Sequence, residues 1–292
     1  MSFSSYKEMS KFDPYLAGVV KDYRPYCKVI VRGFHTFLTI AIPTSLIVTK
    51  TEIYAMYYNA ESSVNILCFT FTWFVSLLTY HMTYIIGPGF VSLDEQKNFD
   101  DSNCSDLNIQ IDPENNKTVF RKCGFCGVQQ PLRARHCEDC GRCVRKFDHH
   151  CPWFDACIGE FNHKHFLVFL ISTIVLMFWC FTATWHALQS SDTWRQWLVS
   201  NHVLLFDLFW LVVGHLIMIP LAFGHFYLMT VNATTWEFVG RERIRYLKHL
   251  HFATNPFDEG CRRNVFDFLC RRRRGKRWER VYMRKVGSFE IV

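Results

Sequence analysis

The 292-residue chain is half hydrophobic and 17% aromatic, and its 33 basic against 26 acidic residues give a formal charge of +7. That length would serve two ordinary soluble domains, but the apolar residues are bunched, not spread, which points to a membrane. The charge excess then needs no nucleic acid to explain it.

In chain order, residues 1–28 are mostly polar and carry no pattern of a cleaved signal peptide. The start Met1-Ser2 excludes N-myristoylation. Val29 to Val48 is the first apolar run, interrupted near one end by Arg32, whose head must snorkel to the headgroups. Val64 to Ile86 follows without a charge. After the central loop, Phe166 to Trp185 is twenty uncharged residues, and Val203 to Val231 fits as well, with Asp207 near its start and Pro220 inside it. Each is long enough to cross a hydrocarbon core of ~30 Å.

Six Lys and Arg residues precede position 33, ten lie between 88 and 164 and fifteen follow 237, whereas the other two loops hold only Lys50 and Arg195. Both termini and the central loop are therefore expected on the cytosolic side. The expected class is an all-α polytopic membrane protein: spans in 29–86 and 165–231, a zinc-binding cysteine-rich region of short β-hairpins and loops in 87–164, and a C-terminal region in 232–292. The run Cys270 to Arg277, CRRRRGKR, either draws the tail to anionic lipid or is a solvated basic tail.

Seven of the 13 cysteines fall between 123 and 157, in a loop assigned to the reducing cytosol, where metal or catalytic roles outnumber disulfides. Cys123-x2-Cys126-x9-His136-x6-Cys143 is repeated fourteen residues later, interval for interval, as Cys137-x2-Cys140-x9-His150-x6-Cys157. Each copy offers three cysteines and one histidine, a closed tetrahedral set of the kind that holds structural zinc. The second copy starts inside the first, so the two sites interleave. A loop this poor in aliphatic residues draws much of its folding free energy from two such ions.

With His149, the block holds ten candidate ligands, and two sites use eight. Cys151 and His149 are left over, with Asp148 preceding them. A free thiol has a pKa of ~8.5, so a neighbouring base raises its reactivity. His149 is the candidate base, and Asp148 is placed to fix its tautomer and stabilise the imidazolium. The bland alternative is a spare buried thiol beside a surface histidine. Cys151 lies fifteen residues before Phe166, so a nucleophile there sits at the membrane face and suits a lipid thioester. Burying a sixteen-carbon chain at ~0.8 kcal/mol per CH2 is of the order of ten kcal/mol, so the tail dominates binding.

On these residues the chain resembles the DHHC-type protein S-acyltransferases, or palmitoyltransferases. The likeness rests on Asp148-His149-His150-Cys151 within the doubled cysteine pattern, on TTWE from Thr234 to Glu237, which looks like the family's TTxE, and on NPFDEGCRRNVF from Asn255 to Phe266, which resembles its C-terminal motif. The resemblance implies a four-span enzyme that takes an acyl group, usually palmitoyl, from acyl-CoA onto Cys151 and passes it to a cysteine of a membrane-associated substrate protein. It implies that Asp148 and His149 polarise the thiol and that the eight repeat ligands hold structural zinc. By the same carry-over Thr235 approaches the active-site acid, while Phe257 and Asn264 brace the tail. Trp153 fits either the way in for the acyl chain or packing at the membrane interface. Three positions depart from the family pattern: Gly87 of Gly87-Pro88-Gly89 stands where an acid is usual, Phe257 where tyrosine is common, and Ala156 where a polar residue is frequent.

The remaining features read more plainly. His81, His215 and His225 lie in or near spans, where interfacial hydrogen bonding accounts for them. Asp207 fits a helix start or an interfacial role, without chemistry. Cys261 and Cys270, beside basic residues, are either acylation sites or ordinary thiols. Asp94 to Asn116 reads as a polar connection, not a domain. Substrate proteins and oligomeric state leave no mark in the sequence, and ER and Golgi membranes suit it equally. A non-enzymatic zinc adaptor and a cysteine hydrolase remain as competing classes, whereas a RING module needs a ligand order ending in Cys-x2-Cys.

Overall fold

The computed structural model describes residues 14–49, 51–59, 63–92, 121–251, 254–270 and 278–286. The polar connection from Asp94 to Asn116 and the arginine run 271–274 lie outside the described residues.

Among the described residues, four helices are long and apolar enough to cross a membrane. They belong to α1 (Pro14–Val48), α3 (Ser63–Ile86), α4 (His163–His186) and α5 (Trp194–Thr230), with the short α2 (Glu52–Asn59) between the first two. The apolar part of α1 is Lys28–Val48. The boundaries follow the apolar runs to within a few residues except at the starts of α1, which begins at Pro14, and of α5. The latter helix starts nine residues before Val203 because Thr193 supplies an N-cap, its side chain accepting from the Gln196 amide. Asp207 therefore sits inside the helix, buried, and its Oδ2 accepts from Ser45 Oγ of α1 at 2.5 Å. The helix-start role expected for it is not the one observed.

α4 packs between α3 and α5. Half of its apolar stretch is buried, against about a fifth in the other spans, which makes it the central helix. Ser76 of α3 and Thr173 of α4 share a 2.7 Å hydrogen bond in this seam, a polar link of the kind that holds helices where the hydrophobic effect between them is weak. Phe37, Leu67, Phe71 and Phe223 point outward, as residues in contact with lipid do.

Among the described residues between α3 and α4 stand three two-stranded antiparallel hairpins: β1–β2 (Arg121–Lys122, Gln129–Gln130), β3–β4 (Arg135–Cys137, Arg142–Val144) and β5–β6 (His149–Cys151, Ala156–Ile158). The segment Gly87-Pro88-Gly89 anchors them to α3. Gly89 O accepts from Arg145 N at 2.9 Å, Pro88 O accepts from Phe161 N at 3.3 Å, and Phe90 bridges to Val144. Gly89 has φ +84° and a side chain there would strike the Phe161 ring at 3.0 Å; a Cβ on Gly159 would lie 2.7 Å from Pro88 O. These two glycines let the strap and β6 lie against each other.

After α5 come α6 (Thr235–Val239), a 3-10 turn at Arg241–Arg243, α7 (Cys261–Cys270) and α8 (Trp278–Val286). Phe257, Trp278, Val281 and Tyr282 form a small core of their own with Ile244 and Leu247.

Candidate active site

The hairpins explain the fourteen-residue repeat. In β3–β4, His136 stands opposite Cys143; in β5–β6, His150 stands opposite Cys157. Residues directly opposite across an antiparallel pair project to the same face, so each hairpin presents one histidine and one cysteine together. The Cys-x2-Cys turn supplies the other two ligands: Cys123 and Cys126 in the turn of β1–β2, Cys137 and Cys140 at the tip of β3–β4.

The distances fit four-coordinate metal. Tetrahedral zinc with Zn–S bonds of about 2.3 Å keeps its sulfurs about 3.8 Å apart. Cys123 Sγ lies 3.8 Å from Cys126 Sγ, Cys126 Sγ 3.7 Å from Cys143 Sγ, and His136 Nδ1 3.0 Å from Cys126 Sγ. In the second group Cys140 Sγ is 3.4 Å from Cys157 Sγ, and His150 Nδ1 is 3.7, 3.5 and 3.7 Å from Cys137, Cys140 and Cys157. The other ring nitrogen of His150, Nε2, lies 3.3 Å from Asp155 Oδ1, the outer partner that metal-bound histidines usually have. The two clusters of three cysteines and a histidine therefore fit zinc.

β5 separates the second cluster from the remaining thiol. Successive residues of a strand point to opposite faces. His150 turns to the second cluster, while His149 and Cys151 turn to the spans. Cys151 is buried among Tyr80, Phe166 and Phe169, and the His149 ring meets the Phe166 edge. Asp148 is 1% exposed and receives three hydrogen bonds: His149 Nδ1 at 2.7 Å, Thr235 N at 2.9 Å and Thr235 Oγ1 at 2.9 Å. Burial works against both charges of the pair, yet their mutual attraction prevails. The histidine's hydrogen bonds to Asp148 and to the Cys151 sulfur raise it to about 9. The facing imidazoles of His163 and His149 and the hydrogen bond from His149 hold the Asp148 carboxyl well below the usual range.

The turn after Cys151 is held by the spans. Tyr80 of α3 donates through its hydroxyl to Trp153 O at 2.9 Å, and Arg32 of α1 donates through Nε to Phe154 O at 2.8 Å while stacking over Tyr84. Arg32 thus anchors the turn after Cys151. The Trp153 side chain is half exposed.

Thr234 and Glu237 form a reciprocal capping box on α6, which points the amide and hydroxyl of Thr235 at Asp148. Glu237 is also the partner of buried Arg133, through Nε at 2.7 Å and NH2 at 2.5 Å. Phe257, fully buried, covers the Arg133 guanidinium 4.1 Å from its ring centroid. Asn264 ties α7 to the end of α5 by donating to Thr230 O at 2.7 Å. Cys261 and Cys270 are exposed at the two ends of α7.

Several contributors carry no local signal. Asn162 precedes α4 as an N-cap should, but its side chain makes no capping bond; it donates to Thr83 O and Cys157 O, 2.9 Å each, and locks β6 to α3. His225 is buried 3.1 Å from His163 behind Asp148, whereas His81 and His215 bond within their own helices, to Tyr84 OH and to Leu211 O.

The fold and site define a polytopic membrane helix bundle whose loop holds two interleaved Cys3His clusters beside an Asp-His-Cys group. The DHHC palmitoyltransferase family profile matches residues 116–242. The chain is 37% identical to the palmitoyltransferase ZDHHC12 of Homo sapiens over 83% of this chain and 88% of that protein, and 37% identical to the ZDHHC12 of Mus musculus over 90% and 96%. It is 36% identical to protein S-acyltransferase 10 of Arabidopsis thaliana over 51% of this chain and 43% of that one. The chain belongs to the DHHC palmitoyltransferase family.

Proposed function

We propose that the protein is a membrane-embedded protein S-acyltransferase that moves a palmitoyl or similar acyl group from acyl-CoA, through a thioester on Cys151, to cysteine thiols of membrane-associated proteins. The supporting observation is the split face of β5: His149 and Cys151 face the spans, while His150 faces the second cysteine cluster.

In the first step His149 accepts the Cys151 proton and the sulfur attacks the thioester carbonyl. The tetrahedral adduct collapses, the C–S bond to CoA breaks, and the imidazolium returns the proton to the departing CoA thiolate. In the second step His149 takes the proton of the acceptor thiol, whose sulfur attacks the acyl-enzyme and releases Cys151, which is reprotonated. Asp148, held by Thr235, keeps Nδ1 of His149 as donor and balances the imidazolium. Zinc, when held by Cys123, Cys126, His136 and Cys143 and by Cys137, Cys140, His150 and Cys157, braces the hairpins. The acyl chain belongs among the apolar side chains below Cys151, beside Tyr80, Phe169 and Leu170, with Trp153 at its mouth.

The basic loops support a cytosolic orientation of the site and both termini, in ER or Golgi membranes. The arginine run of the tail suits anionic lipid, and Cys261 and Cys270 are accessible acceptors for the enzyme's own product.

The test is incubation of the purified protein in detergent with labelled acyl-CoA. A hydroxylamine-labile label on Cys151, absent from Cys151→Ser and transferable to an added cysteine peptide, is expected. No label would favour an adaptor, and label lost only to water would favour a hydrolase.

A further inference from the structure

Behind the Asp148–His149 pair lies a third group of ligand-type side chains that the cysteine repeat does not contain. Asp148, His163 at the start of α4 and His225 near the end of α5 converge from three elements, and they are 1%, 5% and 3% exposed. His163 Nε2 lies 3.1 Å from His225 Nδ1 and 4.0 Å from Asp148 Oδ1. All three ligand atoms fall within 4.8 Å of one another.

Two nitrogens bound to one tetrahedral zinc at about 2.0–2.1 Å stand about 3.3 Å apart. The imidazole pair is already at that spacing, and the carboxylate has only to close by a side-chain rotation. Two histidines and one carboxylate leave a fourth position for water, and imidazole suits zinc and its neighbours in the first transition row. His163 borders a cavity of about 70 Å³ whose wall includes the carboxylates Glu160 and Asp267 and the amides Asn232 and Asn264, where one water needs only about 10–15 Å³. Lys146 and Lys164 also border it, so its field is balanced, not strongly anionic.

We propose that Asp148, His163 and His225 form a third, reversible divalent-metal site, with zinc as its occupant. The cation takes Asp148 Oδ1, the oxygen that the Thr235 amide otherwise holds at 2.9 Å. Binding therefore competes with the hold of Thr235 on the carboxylate that orients His149, and it arrests acyl transfer. The inhibitory consequence rests on the function proposed above; the binding does not.

The two parts separate in one set of measurements on the full chain, purified in detergent with its structural metals in place. Cys151→Ser removes the competing thiol. Added zinc, followed by equilibrium dialysis and elemental analysis, is expected to raise the metal content from two to three per chain in Cys151→Ser. The third equivalent should be lost in Cys151→Ser/His163→Gln/His225→Gln. In the chain that keeps Cys151, added zinc should slow its acylation, and His225→Gln should raise the half-inhibitory concentration by at least about tenfold, since losing a ligand costs no less than losing an outer partner. If the histidine variants fail to retain two metals, cobalt added to Cys151→Ser decides. A d–d spectrum of nitrogen and oxygen ligands without a new thiolate charge-transfer band supports the site. A new thiolate band, no third equivalent, or inhibition unchanged in His225→Gln would place the metal elsewhere or nowhere and overturn the proposal. A third equivalent bound without any acylation of Cys151 would leave the site standing and remove the proposed function instead.

Discussion

Thr235 gives Asp148 two hydrogen bonds, one from its amide and one from its hydroxyl, each 2.9 Å long and each reaching across 87 residues of sequence. The amide contact belongs to the backbone of α6 and survives any substitution that keeps the helix. The hydroxyl contact does not. Thr235→Val keeps the shape and removes one hydrogen bond to a buried charge, worth ~1.5–3 kcal/mol. If the loss falls wholly on the transition state, acylation of Cys151 slows by roughly 10- to 150-fold. The check is a single-turnover acylation rate beside an elemental analysis. The rate should fall while zinc stays at two per chain.

The ligand assignment makes the opposite pairing of outcomes for cysteines fourteen residues apart. Cys151→Ser should abolish the acyl label and keep both metals. Cys137→Ser removes one ligand of the second cluster and should lose that zinc. With His150 and Cys157 released, the β5–β6 hairpin that carries Cys151 should melt, so activity should vanish too. Metal content below two per chain in Cys151→Ser would contradict the assignment of the eight ligands.

Stripping zinc from the whole protein extends the same argument. The β1–β2 and β3–β4 hairpins have few apolar contacts outside the clusters, whereas the spans pack among themselves through Leu46, Phe69, Leu176 and Leu211. A strong chelator should therefore end acylation and open the loop to protease, while far-UV circular dichroism keeps the helical signal of the spans. Loss of helix in proportion to loss of zinc would show that the bundle depends on the loop.

How far the site could be read beforehand follows from the range of each signal. The eight ligands and the leftover Cys151 and His149 are legible because a strand of period two and a hairpin of fixed length write them into 35 consecutive residues. The spans are legible because each is a local apolar run. Arg133 with Glu237, Tyr80 with the Trp153 carbonyl and His163 with His225 are not, since these pairs lie 104, 73 and 62 residues apart and no periodicity links them. Asp207 misled because its helix begins thirteen residues earlier, at a threonine cap that hydropathy does not register.

Arg133 and Glu237 give the last prediction. The guanidinium side chain is fully buried, sits in the corner made by the nearly perpendicular rings of Phe257 and Trp278, and also donates to Asn232. Removing one partner of a buried ion pair strands the other charge and costs ~3–5 kcal/mol. Glu237→Leu should therefore lower the melting temperature markedly, and it also breaks the capping box that aims Thr235. Arg133→Lys is no rescue, because an ammonium cannot make the paired donation to the Glu237 carboxylate. Arg133→Met/Glu237→Leu removes both charges at once. Its loss of stability should be clearly smaller than the sum of the single losses, because neither variant then leaves an uncompensated charge. Thermal unfolding followed by tryptophan fluorescence measures the difference, and strictly additive losses would mean that the pair is not coupled as its geometry requires.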